Sequence, residues 1–196
     1  MNRVANRLMV IGIALLVSPA TQGQAAKGDI SSVAAAGNVN GDVYLNTYFG
    51  LSLAAPKAHW AVRGPVDVAG RRARLIDAAY DSGEQGEGYT LALLVESLQN
   101  FPKAPSTEVY LRSARHRVEL DGLKTQREEF PLTISGIPFT GAVLILFEKP
   151  NFGYYRGLYS TVLNGYFVTI EVQAGSEERL QKLLSSAVRI NPKGKP

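Results

Sequence analysis

The 196-residue chain has no cysteine. That excludes disulfides, thiolate metal sites, a thiol nucleophile and a lipid anchor carried on cysteine. Histidine is nearly as scarce, with only His59 and His116. Neither lies in an HExxH or other metal-ligand spacing, and without thiolates a zinc site would need carboxylates from elsewhere. No GxSxG occurs, so there is no nucleophile elbow. No GxGxxG or Walker loop occurs, so the familiar phosphate cradles are missing as well. No catalytic residue, metal or other cofactor is therefore predicted. An excess of one charge is also lacking. The net charge is +4, but Arg3 and Arg7 sit in an apparent leader, and the remainder balances 19 basic against 17 acidic groups. Phosphate binding needs cations gathered on one face, so no nucleic-acid partner is predicted.

What is present begins with an export signal over residues 1–25. Arg3 and Arg7 make a positive start, 8–17 (LMVIGIALLV) is the apolar core, and Ser18-Pro19 breaks it before a small-residue stretch. Ten helical residues span about 15 Å, half a bilayer core, so a transmembrane helix is not predicted. Gly23-Gln24-Ala25 places small residues at the −3 and −1 positions, favouring cleavage between Ala25 and Ala26; Ser18-Pro19-Ala20 is the competing site. The arginines are not adjacent, so the twin-arginine route is not indicated. The expected product is periplasmic or secreted, with no membrane span after cleavage. Its 171 residues suffice for one core without a metal or disulfide staple.

Residues 26–41 (AKGDISSVAAAGNVNG) are small and polar without apolar periodicity, and read as a flexible lead-in. A single domain is predicted over 42–192. The run 141–148 (GAVLILFE) is apolar on both faces, as in a strand covered on both sides. The stretch 154–163 alternates, Asn164-Gly165 follows, and 166–172 (YFVTIEV) alternates again. An Asn-Gly pair between β-prone runs predicts a tight hairpin, because both residues tolerate φ > 0. Three antiparallel strands over 138–173 result. The run 90–98 is a fourth strand, and 51–53, 73–79 and 123–130 are weaker ones. Ser106 caps a helix ending before Gly122, with Leu111, Ala114 and Val118 as its inner stripe and Glu108–Arg112 outside. Ser176 caps a second, whose stripe is Leu180, Leu183, Leu184 and Ala187. The class is α+β: an antiparallel sheet flanked by helices, one per face, in an α/β/α-type sandwich.

The opening of the domain has its own pattern. Phe49, Leu51 and Leu53 alternate as a strand face, Pro56 ends the strand, and Trp60 anchors the far side in the core. Together with Tyr44, Asn46 and Gly50, these residues resemble the start of PsbP-like α/β-sandwich proteins: Tyr-x-Asn, Phe-Gly, a short strand, Pro and Trp. The family usually has Gly before the Trp, where this chain has His59. The resemblance implies an antiparallel sheet between helical layers. It implies no catalytic residues, because the family carries no common catalytic set.

Four tyrosines, Tyr154, Tyr155, Tyr159 and Tyr166, gather around the hairpin with Phe152 and Phe167. Such rings first suit cross-strand packing within the sheet, and, because an apolar ring carries a polar tip, otherwise a surface for a protein partner or small apolar ligand. His116 lies among Arg112, Arg115 and Arg117, which spread around more than one side of a helix and read as a solvated face. The glycine-rich run 83–88 has acidic neighbours but not the alternating oxygen ligands of a calcium loop. The expected function is an exported, non-enzymatic binding or accessory protein. Two alternatives stand beside it: a hydrolase using dispersed carboxylates such as Glu96, Glu128, Glu129 and Glu171, and a pocket for a small apolar ligand between sheet and helix.

Overall fold

The computed structural model describes residues 29–55, 57–62, 72–81, 88–101, 106–149 and 152–191. The leader, its Ala25/Ala26 cleavage site, Pro56 and most of the glycine-rich run lie outside them. In chain order the elements are α1 (Ile30–Ala35), β1 (Gly37–Asn40), β2 (Val43–Asn46), β3 (Leu51–Ala54), β4 (His59–Val62), β5 (Arg72–Tyr80) and β6 (Tyr89–Ser97). Then come α2 (Thr107–Leu120), β7 (Lys124–Ile134), β8 (Ile137–Lys149), β9 (Phe152–Leu163), β10 (Tyr166–Ala174), α3 (Glu177–Ala187) and β11 (Val188–Ile190). No helix among the described residues is long and apolar enough to cross a membrane.

The architecture is an α+β arrangement of two antiparallel sheets. The larger runs β4-β5-β6-β10-β9-β8-β7, and the smaller runs β1-β2-β3-β11. The β8-β9-β10 meander follows the expected strands. Its Asn164-Gly165 turn has φ 49° and 84°, the two positive values a type I′ hairpin needs. The β7–β8 turn uses the same geometry at Ser135 (φ 51°) and Gly136 (φ 80°). Sequence reading missed this second turn, because serine is not among the residues that favour the left-handed region.

Period-two alternation separates the two faces of the large sheet. On one face Leu111 of α2 packs against Leu123, Ala142, Leu144 and Leu158. On the other, Leu93, Val95, Val143, Val168 and Ile170 join a larger core with Ile30 and Val33 of α1, Leu51 and Leu53 of β3, and Leu180 and Leu184 of α3. Full burial of each such leucine contributes roughly 1.5–3 kcal/mol. The layering therefore differs from one sheet between two helical layers. Among the described residues only α2 packs with the first of these clusters, and on the opposite face a second sheet shares the cover with α1 and α3. The short strands of that second sheet, three or four residues each, carry too little alternation to read from sequence.

Part of the expected lead-in is also ordered structure. Asp29 caps α1 by accepting the Ser31 N–H, and backbone and side-chain hydrogen bonds from Ser31 hold its carboxyl below the usual range. Ile30 and Val33, one turn apart, are buried in the core. Two apolar positions are too few to register as a helical stripe, which is why 29–40 looked structureless. Both predicted caps are in place: Ser106 accepts the Val109 N–H at 3.3 Å, and Ser176 accepts the Arg179 N–H at 3.2 Å.

Candidate functional site

The four tyrosines do not form one surface. Adjacent residues of a strand point to opposite faces, so Tyr154 is separated from Tyr155 and Tyr159. Tyr154 is 38% exposed, Tyr155 is half-buried against the core, and Tyr159 and Tyr166 are 0% and 1% exposed. Tyr159 lies across Gly157, where an added Cβ would come within 2.5–2.7 Å of its ring and hydroxyl. Burial, with the nearby charge of Glu177, pushes its phenol up to about 12. Tyr166 meets Tyr48 and Phe49 edge-on, with centroids 5.9 and 6.0 Å away, and burial likewise pushes its phenol up to about 12. Phe167 faces the other way and stacks on Tyr110 of α2 at 3.9 Å. The expected patch reduces to Tyr154, and the other three rings are packing. The alternation rule, applied to 154, 155 and 159, would have separated them in advance.

The dispersed carboxylates do not converge either. Glu96 of β6 and Glu171 of β10 share a sheet face, but they stand in register with Phe167 and Ala92, four residues or about 13 Å apart. Glu171 lies between Arg74 at 3.9 Å and Arg156 at 3.6 Å, and Glu96 accepts from the Tyr110 hydroxyl at 3.4 Å. Glu129 is held by Arg115 at 2.7 Å and Arg112 at 3.7 Å, which ties β7 to α2. Burial works to raise the Glu129 carboxyl, yet the Arg115 hydrogen bond, a backbone hydrogen bond and the charges of Arg115 and Arg112 together outweigh it and hold the group below the usual range. Glu128 is exposed on the same strand. His116 is exposed beside Glu119 at 3.4 Å, and His59 is exposed on β4.

A concavity gathers residues from segments far apart in the chain. An open depression of about 450 Å³ is lined by Leu45, Thr47, Gly50, Ser52, Ser135 and Arg189, together with their neighbours Asn46, Leu51, Ile190 and Asn191. The small sheet builds its wall, since Leu45, Ser52 and Arg189 stand side by side in register across β2, β3 and β11. Leu45 is 39% exposed there. A second concavity, of about 300 Å³, runs between β7 and α3 past Leu132, Ile134, Gln181, Leu184 and Val188. The two share Ser135 and Arg189. Ser135 is held by its turn and by a hydrogen bond to the Val188 carbonyl at 3.4 Å. Arg189 donates through Nη1 to the Ser185 carbonyl at 2.7 Å and the Val188 carbonyl at 2.8 Å, at the negative end of α3. Among the described residues, neither concavity has an aspartate or glutamate in its lining. A largely apolar hollow edged with hydroxyls, amides and one guanidinium can hold a small molecule, and its size falls in the range of ordinary ligand sites. Sequence reading singled out none of these lining residues as a site, because no local spacing links Leu45, Ser135 and Arg189.

No family model matches the chain, and no curated protein matches it. The PsbP-like resemblance of the 44–60 segment thus gains no support from a family match. Among solved structures, the chain is similar to LpqN, described as involved in cell envelope biogenesis of Mycobacterium tuberculosis. The identity is 10%, the TM-score is 0.37, and the match covers 72% of this chain and 83% of that one. A likeness that slight assigns neither fold nor role.

Proposed function

We propose that this chain is an exported, non-enzymatic binding protein that holds a small, largely apolar ligand in the depression formed by Leu45, Ser52 and Arg189. The observation that carries the reading is the hollow itself: about 450 Å³, edged by polar groups and, among the described residues, free of carboxylates. A protein-binding role for the tyrosine hairpin loses its motivation once Tyr159 and Tyr166 are buried. The hydrolase alternative loses its own, because Glu96, Glu129 and Glu171 are each engaged by another side chain and none lines the hollow. Export rests on the leader: Arg3, Arg7, the apolar run and the small residues before Ala26. A PsbP-like kinship, implying no catalytic set, agrees with a binding role.

The test is native mass spectrometry of the full-length gene product recovered from a periplasmic or culture fraction. The reading expects an N-terminus at Ala26 and a bound small molecule that leaves on gentle activation. A protein retaining Met1, or one that is clean of ligand and takes up no amphiphile when offered it, overturns it.

A further inference from the structure

We infer that the ligand of this depression is an amphiphile with an anionic head, a carboxylate or a phosphate, seated on Arg189 and Ser135; this rests on the reading that the depression binds a ligand at all. The argument starts from the guanidinium. Arg74, Arg115 and Arg156 each lie within 4.0 Å of a carboxylate. Arg189 has no carboxylate at that range among the described residues, and its bonds go to two backbone carbonyls through one nitrogen. A guanidinium carries five N–H donors in a planar fork and no acceptor. The donors that remain face a group rich in oxygen lone pairs best, and an anion best of all.

Position argues the same way. Arg189 and Ser135 are the two described residues common to both concavities, so an anion resting on them sits at the seam. From that seam Ser52 and then Leu45 follow in register across the small sheet, so the wall runs from cation to hydroxyl to exposed apolar side chain. Gly50 extends the lining, while the side chains of Leu51 and Ile190 turn into the core. A molecule matching this wall has a charged end and an apolar remainder. A cationic head finds no acidic residue among the described residues of either lining, and an uncharged head forgoes the charge-assisted bonds to Arg189.

Calorimetry on the mature protein with four single-chain probes sharing one ten-carbon tail, each below its micelle threshold, tests this. The probes are decanoate, decyl phosphate, decanol and decyltrimethylammonium. Both anions should bind about tenfold more tightly than decanol, the difference one charge-assisted hydrogen-bonded contact makes. The cation should bind worst. Whichever anion binds tighter identifies the head as carboxylate or phosphate. Arg189→Gln keeps a donor for the Ser185 carbonyl but removes the charge; it should abolish the preference for anions and leave decanol unchanged. Arg189→Lys should keep most of the preference. Equal affinity for the anions and decanol, or an anion preference that survives Arg189→Gln, overturns the inference while leaving the ligand site standing. Failure of all four probes to bind overturns the site itself. The head-group series on the unmodified protein decides the matter even if the Gln variant does not fold.

Discussion

The side-chain oxygen of Asn46 accepts the backbone N–H of Phe49 at 3.3 Å, closing the turn between β2 and β3 from the inside. The same amide donates to the Tyr44 hydroxyl at 3.1 Å and to the Val33 carbonyl at 3.0 Å. Asn46 is buried, so all three groups would otherwise lack water. Gly50, at φ 60°, then turns the chain into β3, and its carbonyl receives the Asn191 N–H at 2.7 Å. The Tyr-x-Asn and Phe-Gly opening is thus a lock that joins α1, β2 and β3 and presents Gly50 to the depression.

Asn46→Ala removes that lock and leaves a buried hydroxyl, carbonyl and N–H unpaired. A loss of about 2–4 kcal/mol in folding stability is expected from desolvated groups without partners. Asn38→Ala, at an exposed position of β1, should change stability by less than about 0.5 kcal/mol. Urea melts of the two variants at neutral pH compare them directly, and equal midpoints would refute the role given to Asn46.

Gly165→Val forces a β-branched residue to φ 84° in the β9–β10 hairpin. The expected cost is about 1–3 kcal/mol, the scale for a side chain held in a sparsely populated backbone region. Gly175→Val, just before the Ser176 cap, should cost less, since capping sets no demand for positive φ at the preceding residue. Denaturant midpoints measured on both variants provide the check; an unchanged midpoint for Gly165→Val would contradict the turn.

Glu129 supplies a pH dependence whose sign is fixed. Its carboxyl is depressed in the folded protein, chiefly by Arg115 working against burial. A depressed acid stabilises the fold above its unfolded pKa, and that stability disappears as the pH falls through the folded value. Glu129→Gln should therefore cost about 1–3 kcal/mol at pH 7, the range for a hydrogen bond to a charged group. The gap between variant and parent should narrow steadily below about pH 4, where unfolded glutamates take up protons. Urea midpoints across that range measure the gap, and a gap that stays constant down to the acid limit would show that the Arg115–Glu129 pair contributes nothing through charge.

These elements also mark how far the sequence could be read. Asn164-Gly165, Ser106 and Ser176 announce their roles because turns and caps depend on the residue itself. The stripe of α3 was visible because an eleven-residue helix repeats its pattern enough to detect. Ile30 and Val33 were not, since a six-residue helix repeats it once. Of the two readings of the tyrosines, packing within the sheet holds for Tyr155, Tyr159 and Tyr166, and the alternation that sends Tyr154 to the opposite face leaves it alone exposed. The depression was illegible for a different reason. Its wall depends on β11 pairing with β3, Arg189 opposite Ser52, across most of the chain's length. No local pattern encodes that register; it follows from α3 returning the chain to the small sheet.

The central claim is that the hollow around Arg189, and not the tyrosine hairpin, is the binding surface. Backbone amide NMR of the mature protein, titrated with decanoate, tests it most directly. The account predicts shift changes concentrated at Thr47, Gly50, Ser52, Ser135 and Arg189, saturating together, while Tyr154 and Leu146 stay unmoved. Changes centred on Tyr154 with none at Ser52 or Ser135 would contradict it.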